Sequence, residues 1–209
     1  MPVIAVVGNK GGAGKTTLSI NLASGLHSRA DTVLLDADMQ RSSMQWRDIA
    51  GRNDLVDVID AVDNTQDTVC AHRDRYEYLV IDCPPSVHAD QTWQALTSCD
   101  IAVIPVLPSP LDLWASVHVE QEIGAARAEN PDIRALVVVN QLEPRTRLSN
   151  LMHDALAEIS LPVARTSIRR RVVYRNAMLS GCSVLQTGSA GRAAADEIQQ
   201  LVEEVVNLT

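Results

Sequence analysis

Asn9-Lys10-Gly11-Gly12-Ala13-Gly14-Lys15-Thr16-Thr17 is the stretch that decides how this chain folds. Before it lies a short, apolar, β-branched run, Val3 to Gly8. After it Leu18, Leu22 and Leu26 recur at four-residue steps, the spacing of one helical face. Strand, glycine loop, helix is the order in which backbone N–H groups converge on phosphate oxygens. Glycine accepts the dihedrals this needs and has no Cβ to obstruct the approach. Gly11, Gly12 and Gly14 take that role here. Lys15 is placed to reach the β- and γ-phosphates of a nucleotide, and the Thr16 hydroxyl to complete a Mg²⁺ shell made mostly of water and phosphate oxygen. The general Walker A pattern asks for glycine five residues before Gly14, where this chain has Asn9.

Further apolar runs follow. Thr32 to Leu35 ends in Asp36, Tyr78 to Ile81 ends in Asp82, and Ile101 to Val106 and Leu136 to Val139 are two more. Helical stretches such as Asp90 to Ser98 and Leu111 to Glu129 lie between them. Strands apolar on both faces, alternating with helices, predict a doubly wound α/β fold with a mostly parallel sheet covered by helices on both faces. In such sheets ligands bind beyond the carboxyl ends of the strands, where Asp36, Asp82 and the glycine loop all fall. The prolines at 105, 108 and 110 predict a stiff, irregular loop from Pro105 to Leu111. Ala190 to Leu208 reads as an amphipathic helix with Ile198, Leu201, Val202 and Val205 on the face that packs on the sheet.

The 209 residues are 46% hydrophobic and 21% charged, enough for a large core, and are expected to form one domain over 1–209. No signal-peptide pattern precedes the loop and no apolar run approaches the roughly 18 residues of a membrane span, so a cytoplasmic protein is expected. Cys70, Cys83, Cys99 and Cys182 lack the spacing of a zinc site and the density of a disulfide scaffold, and Cys83 and Cys99 read as core thiols. His27, His72, His88, His118 and His153 show no metal-site spacing. Trp46, Trp93 and Trp114 read as packing residues. The net charge of −8 hides an uneven distribution. From Ile159 to Ala195 there is no acidic residue but there are six arginines, so that stretch carries +6 and the rest −14. Sixteen of the 18 basic residues are arginine, and the two lysines, Lys10 and Lys15, both sit in the glycine loop. Arg169, Arg170, Arg171 and Arg175 can meet DNA phosphates, with Arg171 and Arg175 one helical turn apart. The same four can equally form a solvated surface paired with acidic neighbours.

The string Lys10 to Thr17 resembles the deviant Walker A box of the ParA/MinD family, which carries an additional lysine near the start of the loop. Asp36-Ala37-Asp38-Met39-Gln40 is similar to that family's second motif, with methionine where proline is usual. Asp82-Cys83-Pro84-Pro85-Ser86 resembles its Walker B segment, and Ile104 to Asp112 the proline-rich stretch that follows. The resemblance covers the whole chain and implies an ATPase with Mg²⁺. In that reading Lys10, Gly11, Gly12, Ala13, Gly14, Lys15, Thr16 and Thr17 hold the phosphates and Asn140 recognises adenine. Thr16, Asp38 and Asp82 surround the metal, Asp38 helps position the attacking water, and Lys10 reaches across a two-fold axis to the partner's nucleotide. It further implies an ATP-bound homodimer, non-specific binding to nucleoid DNA through Arg169, Arg170, Arg171 and Arg175, and a small ParB-like or carboxysome-adaptor-like stimulator with a basic N-terminus. The cargo is a plasmid, a chromosome or a carboxysome. With no helix-turn-helix before the loop, the chain looks like the short ParA type. A MinD-like membrane ATPase is disfavoured by Asp196, Glu197, Glu203 and Glu204 on the last helix, which anionic lipid repels. A metabolic or iron-protein relative with the same loop is the remaining alternative, for which only Cys83 and Cys99 are available as cluster ligands.

Overall fold

The computed structural model describes residues 1–51, 55–143 and 160–208, with 110–116 described by backbone alone. His153 and the side chain of Trp114 therefore lie outside the described residues, as do the side chains at the end of the Ile104 to Asp112 motif. Six strands form one parallel sheet: β1 (Val3–Val6), β2 (Thr32–Asp36), β3 (Asp57–Asp60), β4 (Tyr78–Asp82), β5 (Ile101–Val106) and β6 (Arg134–Val139), ordered β3-β2-β4-β1-β5-β6. Between and after them come α1 (Lys15–His27), α2 (Ser42–Ala50), α3 (Thr65–His72), α4 (Asp90–Ser98), α5 (Pro110–Ala126), α6 (Val172–Leu179) and α7 (Arg192–Val206).

Successive strand residues serve opposite faces, as the two-residue period requires. Val3 and Ala5 of β1 join one core with Val69, Leu96 and Ile123 of α3, α4 and α5. Ile4 and Val6 join the other with Leu22 of α1, Trp46 of α2, Ala177 of α6 and Leu201 of α7. Each of these residues is essentially inaccessible, so both faces of the sheet are dry. The expected doubly wound α/β arrangement is what the chain adopts.

Three details depart from the sequence reading. β3 is an edge strand that the apolar-run criterion passed over, because Asp57 and Asp60 at its two ends are exposed. Pro105 lies inside β5 instead of opening the loop. Residues 104 and 106 face β6, where the Asn140 N–H donates to Val106 O. Residues 103 and 105 face β1, which makes its last contact through Val7 N–H to Val103 O. Pro105 has no N–H to extend the ladder with β1 beyond Val103, so pairing stops on that side while it continues to β6 through Val106. The last helix, α7, reaches the core through α1: at Gly25 an added Cβ would lie 2.8 Å from Val202 Cγ2, so only glycine permits this approach.

Candidate functional site

The glycine loop leaves β1 at the point where the chain connections diverge, towards β4 and β2 on one side and β5 and β6 on the other. Gly12 and Gly14 both adopt left-handed backbone, φ 83° and 84°. Gly14 is the N-cap of α1 and supplies no side-chain cap, and the first turn carries no acidic residue, so the positive end of the helix is open to an anion. Asn140 and Gln141, just past β6, close over the loop from the other side. Asn140 Nδ2 donates to Ala13 O at 2.7 Å, and Gln141 Nε2 to Gly12 O at 3.0 Å.

Lys15 is 6% exposed, and its Nζ donates to Lys10 O at 3.0 Å, spanning the mouth of the loop. Burial pulls its pKa down, against the opposing field of Asp82, Cys83 and Asp38. Asp82, at the end of β4, is completely buried among hydroxyls. Ser19 donates to its Oδ1 at 3.0 Å, Ser43 to its Oδ2 at 2.9 Å, and Thr16 bonds it as well. Burial pushes its pKa up to about 7, the Asp36 charge adds to the rise, and the three hydroxyls oppose it. One carboxylate, three hydroxyls and nearby backbone oxygen form an all-oxygen environment suited to a hard divalent cation that keeps much of its water.

Asp36, also buried, does structural work in this cluster. Its Oδ2 accepts from Met44 N–H at 3.0 Å and its Oδ1 from Asp38 N–H at 3.2 Å. The N-cap of α2, Arg41, is itself left-handed and gives no side-chain cap, so Asp36 satisfies the open end of the helix and sets Ser43 against Asp82. Asp38 lies on the same rim, half-buried, with Oδ1 accepting from Gln40 N–H at 3.0 Å. Neither Ser19 nor Ser43 is marked by a motif. Ser19 was findable as the residue one helical turn beyond Lys15.

A cavity of about 590 Å³ opens beside the loop, with Gly14, Thr16, Thr17 and Asn140 on one wall and Arg169, Arg170, Arg171, Tyr174 and Arg175 on the other. All four candidate DNA arginines thus border the same space as the phosphate loop. Arg169 and Arg170 are in extended chain: Leu142 N–H donates to Ile168 O, and Arg170 N–H to Leu142 O. Arg171 is the N-cap of α6, and Arg175 is exposed one turn further on. Glu197 of α7, 12% exposed in its side chain, takes Arg171 Nη2 at 2.6 Å, lies 3.6 Å from Arg169 Nε and accepts from Arg169 N–H. Arg170 pairs with Glu143 at 2.7 Å. Among the described residues Arg175 forms no ion pair. The pairing with acidic neighbours that the sequence allowed is therefore present for three of the four.

Two further acidic residues of α7 are likewise engaged: Glu204 accepts from the N–H groups of Arg165 and Thr166, and Glu203 pairs with Arg29. Among the described residues no helix is long and apolar enough to cross a membrane. Cys83 and Cys99 are 1% and 2% exposed within one core, out of reach of any cluster shared between subunits.

A doubly wound parallel sheet with this loop at the divergence of its strands, and a buried aspartate at the end of the adjacent strand, defines a P-loop nucleotide-binding protein. More narrowly, the chain belongs to the CobQ/CobB/MinD/ParA nucleotide binding domain family, whose pattern it matches over residues 4–184. It is 43% identical over 207 residues to the maintenance of carboxysome distribution protein A of Halothiobacillus neapolitanus, covering 97% of this chain and 95% of that protein. The protein of the same name from Gloeobacter kilaueensis is 29% identical over 208 residues, with 97% and 93% covered. In fold it superposes on apo McdA of Cyanothece with a TM-score of 0.79 at 16% identity, covering 99% of each chain. It superposes on the Mg-ADP complex of Pyrococcus horikoshii MinD with a TM-score of 0.75 at 19% identity, covering 99% and 96%.

Proposed function

We propose that this chain, acting as one domain over 1–209, is a ParA-type ATPase that distributes carboxysomes. It binds ATP with Mg²⁺, closes into a two-subunit sandwich, coats nucleoid DNA without sequence preference, and is released when a cargo-bound partner stimulates hydrolysis. The observation that carries this reading is the near full-length similarity to a carboxysome distribution protein in a chain whose loop keeps both Lys10 and Lys15.

The residues divide the work. The loop N–H groups and Lys15 bind the phosphates, and Thr17 follows at the start of α1. Thr16 and Asp82, with Asp38 beside them, hold the hydrated Mg²⁺, which neutralises phosphate charge when bound. Asp38 orients the attacking water. Asn140 spends one amide hydrogen on Ala13 O and keeps the second for adenine. Lys10 acts on the partner's nucleotide, so a cation meets the developing phosphate charge only after two subunits close. Arg175 and the Arg169 to Arg171 segment supply the DNA contacts. The setting is the cytoplasm, on the nucleoid, and the partner is a small adaptor with a basic N-terminus.

Light scattering with and without Mg-ATP, together with phosphate release in the presence of DNA and the adaptor, tests the reading. A doubled mass with ATP and turnover that rises on adding both components are expected. A monomer under all conditions, or turnover indifferent to both, refutes it.

A further inference from the structure

Gln141 belongs to no motif, yet it occupies a demanding position. It is a non-glycine residue with φ 55°, a left-handed conformation that costs side chains energy and persists where surroundings enforce it. Two bonds enforce it here. Its own N–H donates to Asn140 Oδ1 at 3.0 Å, and its Nε2 donates to Gly12 O at 3.0 Å. Asn140 Nδ2 takes the next carbonyl along, Ala13 O, at 2.7 Å. The approach is so close that a Cβ on Gly14 would lie 2.6 Å from Asn140 Nδ2.

A peptide unit is planar and trans, so its C=O and N–H point in opposite directions. No cis bond occurs among the described residues. Holding Gly12 O towards Gln141 therefore turns the Ala13 N–H away from it, and holding Ala13 O towards Asn140 does the same for the Gly14 N–H. These two N–H groups belong to the loop that must present its donors to phosphate. The support is firm, because the next residue, Leu142, is bonded on both sides to the Ile168 to Arg170 chain.

We propose that Gln141, with Asn140, is a positioning residue that aims the Ala13 and Gly14 N–H groups at the phosphates of a bound nucleotide. The role rests on the nucleotide reading above and differs from recognition of a base: Gln141 acts through the loop and is indifferent to what the phosphates are attached to. Losing one such bond costs about threefold to tenfold in affinity.

The test compares wild type, Gln141→Ala and Gln141→Gly by calorimetry with Mg-ATP, Mg-tripolyphosphate and adenosine, with melting temperatures taken before ligand is added. Gln141→Gly removes the side chain while adopting φ 55° freely, so it keeps the experiment open if alanine is poorly tolerated. Both variants are expected to lose ATP and tripolyphosphate affinity by the same factor, to treat adenosine as wild type does, and to exchange the Ala13 and Gly14 amide hydrogens faster. Loss of ATP affinity with tripolyphosphate unchanged makes Gln141 a base contact and overturns the proposal. So does wild-type affinity in Gln141→Gly with loss only in Gln141→Ala, which assigns the effect to backbone strain. Wild type that binds neither ATP nor tripolyphosphate overturns the nucleotide reading itself and this inference with it.

Discussion

Ser43 Oγ donates to Asp82 Oδ2 at 2.9 Å across 39 residues of chain, joining the first turn of α2 to the end of β4. Asp36, one strand away, caps the helix that carries Ser43. The two aspartates at neighbouring strand ends therefore do different things: one builds the support and the other faces the site. The Asp82 carboxylate is held by hydroxyls and has no cation bonded to it among the described residues. It is poised to gain most from a cation arriving with nucleotide.

That poise makes stability depend on pH. The Asp82 pKa goes from 3.8 to about 7 on folding, so between those values the folded protein holds a proton that the unfolded chain has lost. Stability without nucleotide falls as pH rises from about 4 through about 7 and levels off above. Burial raises the Asp36 pKa as well and gives a slope of the same sign, so Asp82→Asn reduces the slope without abolishing it and stabilises the nucleotide-free protein at pH 8 by up to ~4 kcal/mol, at about 1.4 kcal/mol per pKa unit. Urea melts of both proteins at pH 5 and pH 8 check it. A variant less stable than wild type at pH 8 contradicts the account. The same variant is expected to lose the stabilisation that Mg-ATP gives wild type.

Lys10→Ala separates binding from turnover. Lys15 and the loop N–H groups remain, so ATP affinity is expected within about threefold of wild type, whereas partner-stimulated hydrolysis falls by about 10³ or more if the Lys10 ammonium acts as a charge supplied in trans. Lys15→Ala, in contrast, is expected to abolish binding. Mixing Lys10→Ala with a binding-deficient Lys15→Ala chain is expected to restore part of the turnover, because in the mixed dimer the Lys10 of the second chain meets the nucleotide held by the first. Normal stimulated turnover by Lys10→Ala alone removes Lys10 from the mechanism.

Five strands and the phosphate loop were legible in the sequence because each is an unbroken apolar run or a fixed spacing of glycine and lysine. β3 was not, because an edge strand needs only one paired side and keeps Asp57 and Asp60 exposed. Pro105 misled because its meaning depends on which side of β5 has a neighbour at that height. Ser19, Ser43 and Gln141 were missed for a common reason: each acts through a contact with a residue distant in the chain or through backbone geometry. Glu197 belongs with them. Its sequence context is an acidic helix face, and only the fold sets it against Arg169 and Arg171.

The cysteines give a direct check on the core. Burial pushes the Cys99 thiol up to about 12 and the Cys83 thiol well above its usual value, so at pH 8 neither offers appreciable thiolate. Cys70 is exposed and Cys182 half-buried. Alkylation of native protein at pH 8 followed by peptide mass analysis is expected to mark Cys70 rapidly and Cys182 more slowly, with Cys83 and Cys99 modified only in denaturant. Rapid labelling of Cys83 in the native protein shows that the β4 end is open, contrary to the packing described.

The arginine segment yields the sharpest test of the DNA reading, because its charge is partly spent internally. Glu197 engages both Arg169 and Arg171, so Glu197→Gln keeps an acceptor oxygen in place while adding one net positive charge to that surface. If these arginines meet DNA, the change tightens ATP-dependent binding and steepens the dependence on salt. Each phosphate that the protein neutralises contributes about 0.9 to the slope of log K against log salt. Arg175→Ala, which breaks no ion pair among the described residues, is expected to do the reverse, weakening binding uniformly across DNA sequences and flattening the slope by about that amount. Filter binding at several salt concentrations reads both variants. Opposite shifts place the surface at α6 and the chain before it, whereas unchanged slopes in both leave these four arginines as ion pairs and a cavity wall and send the search for the DNA surface elsewhere.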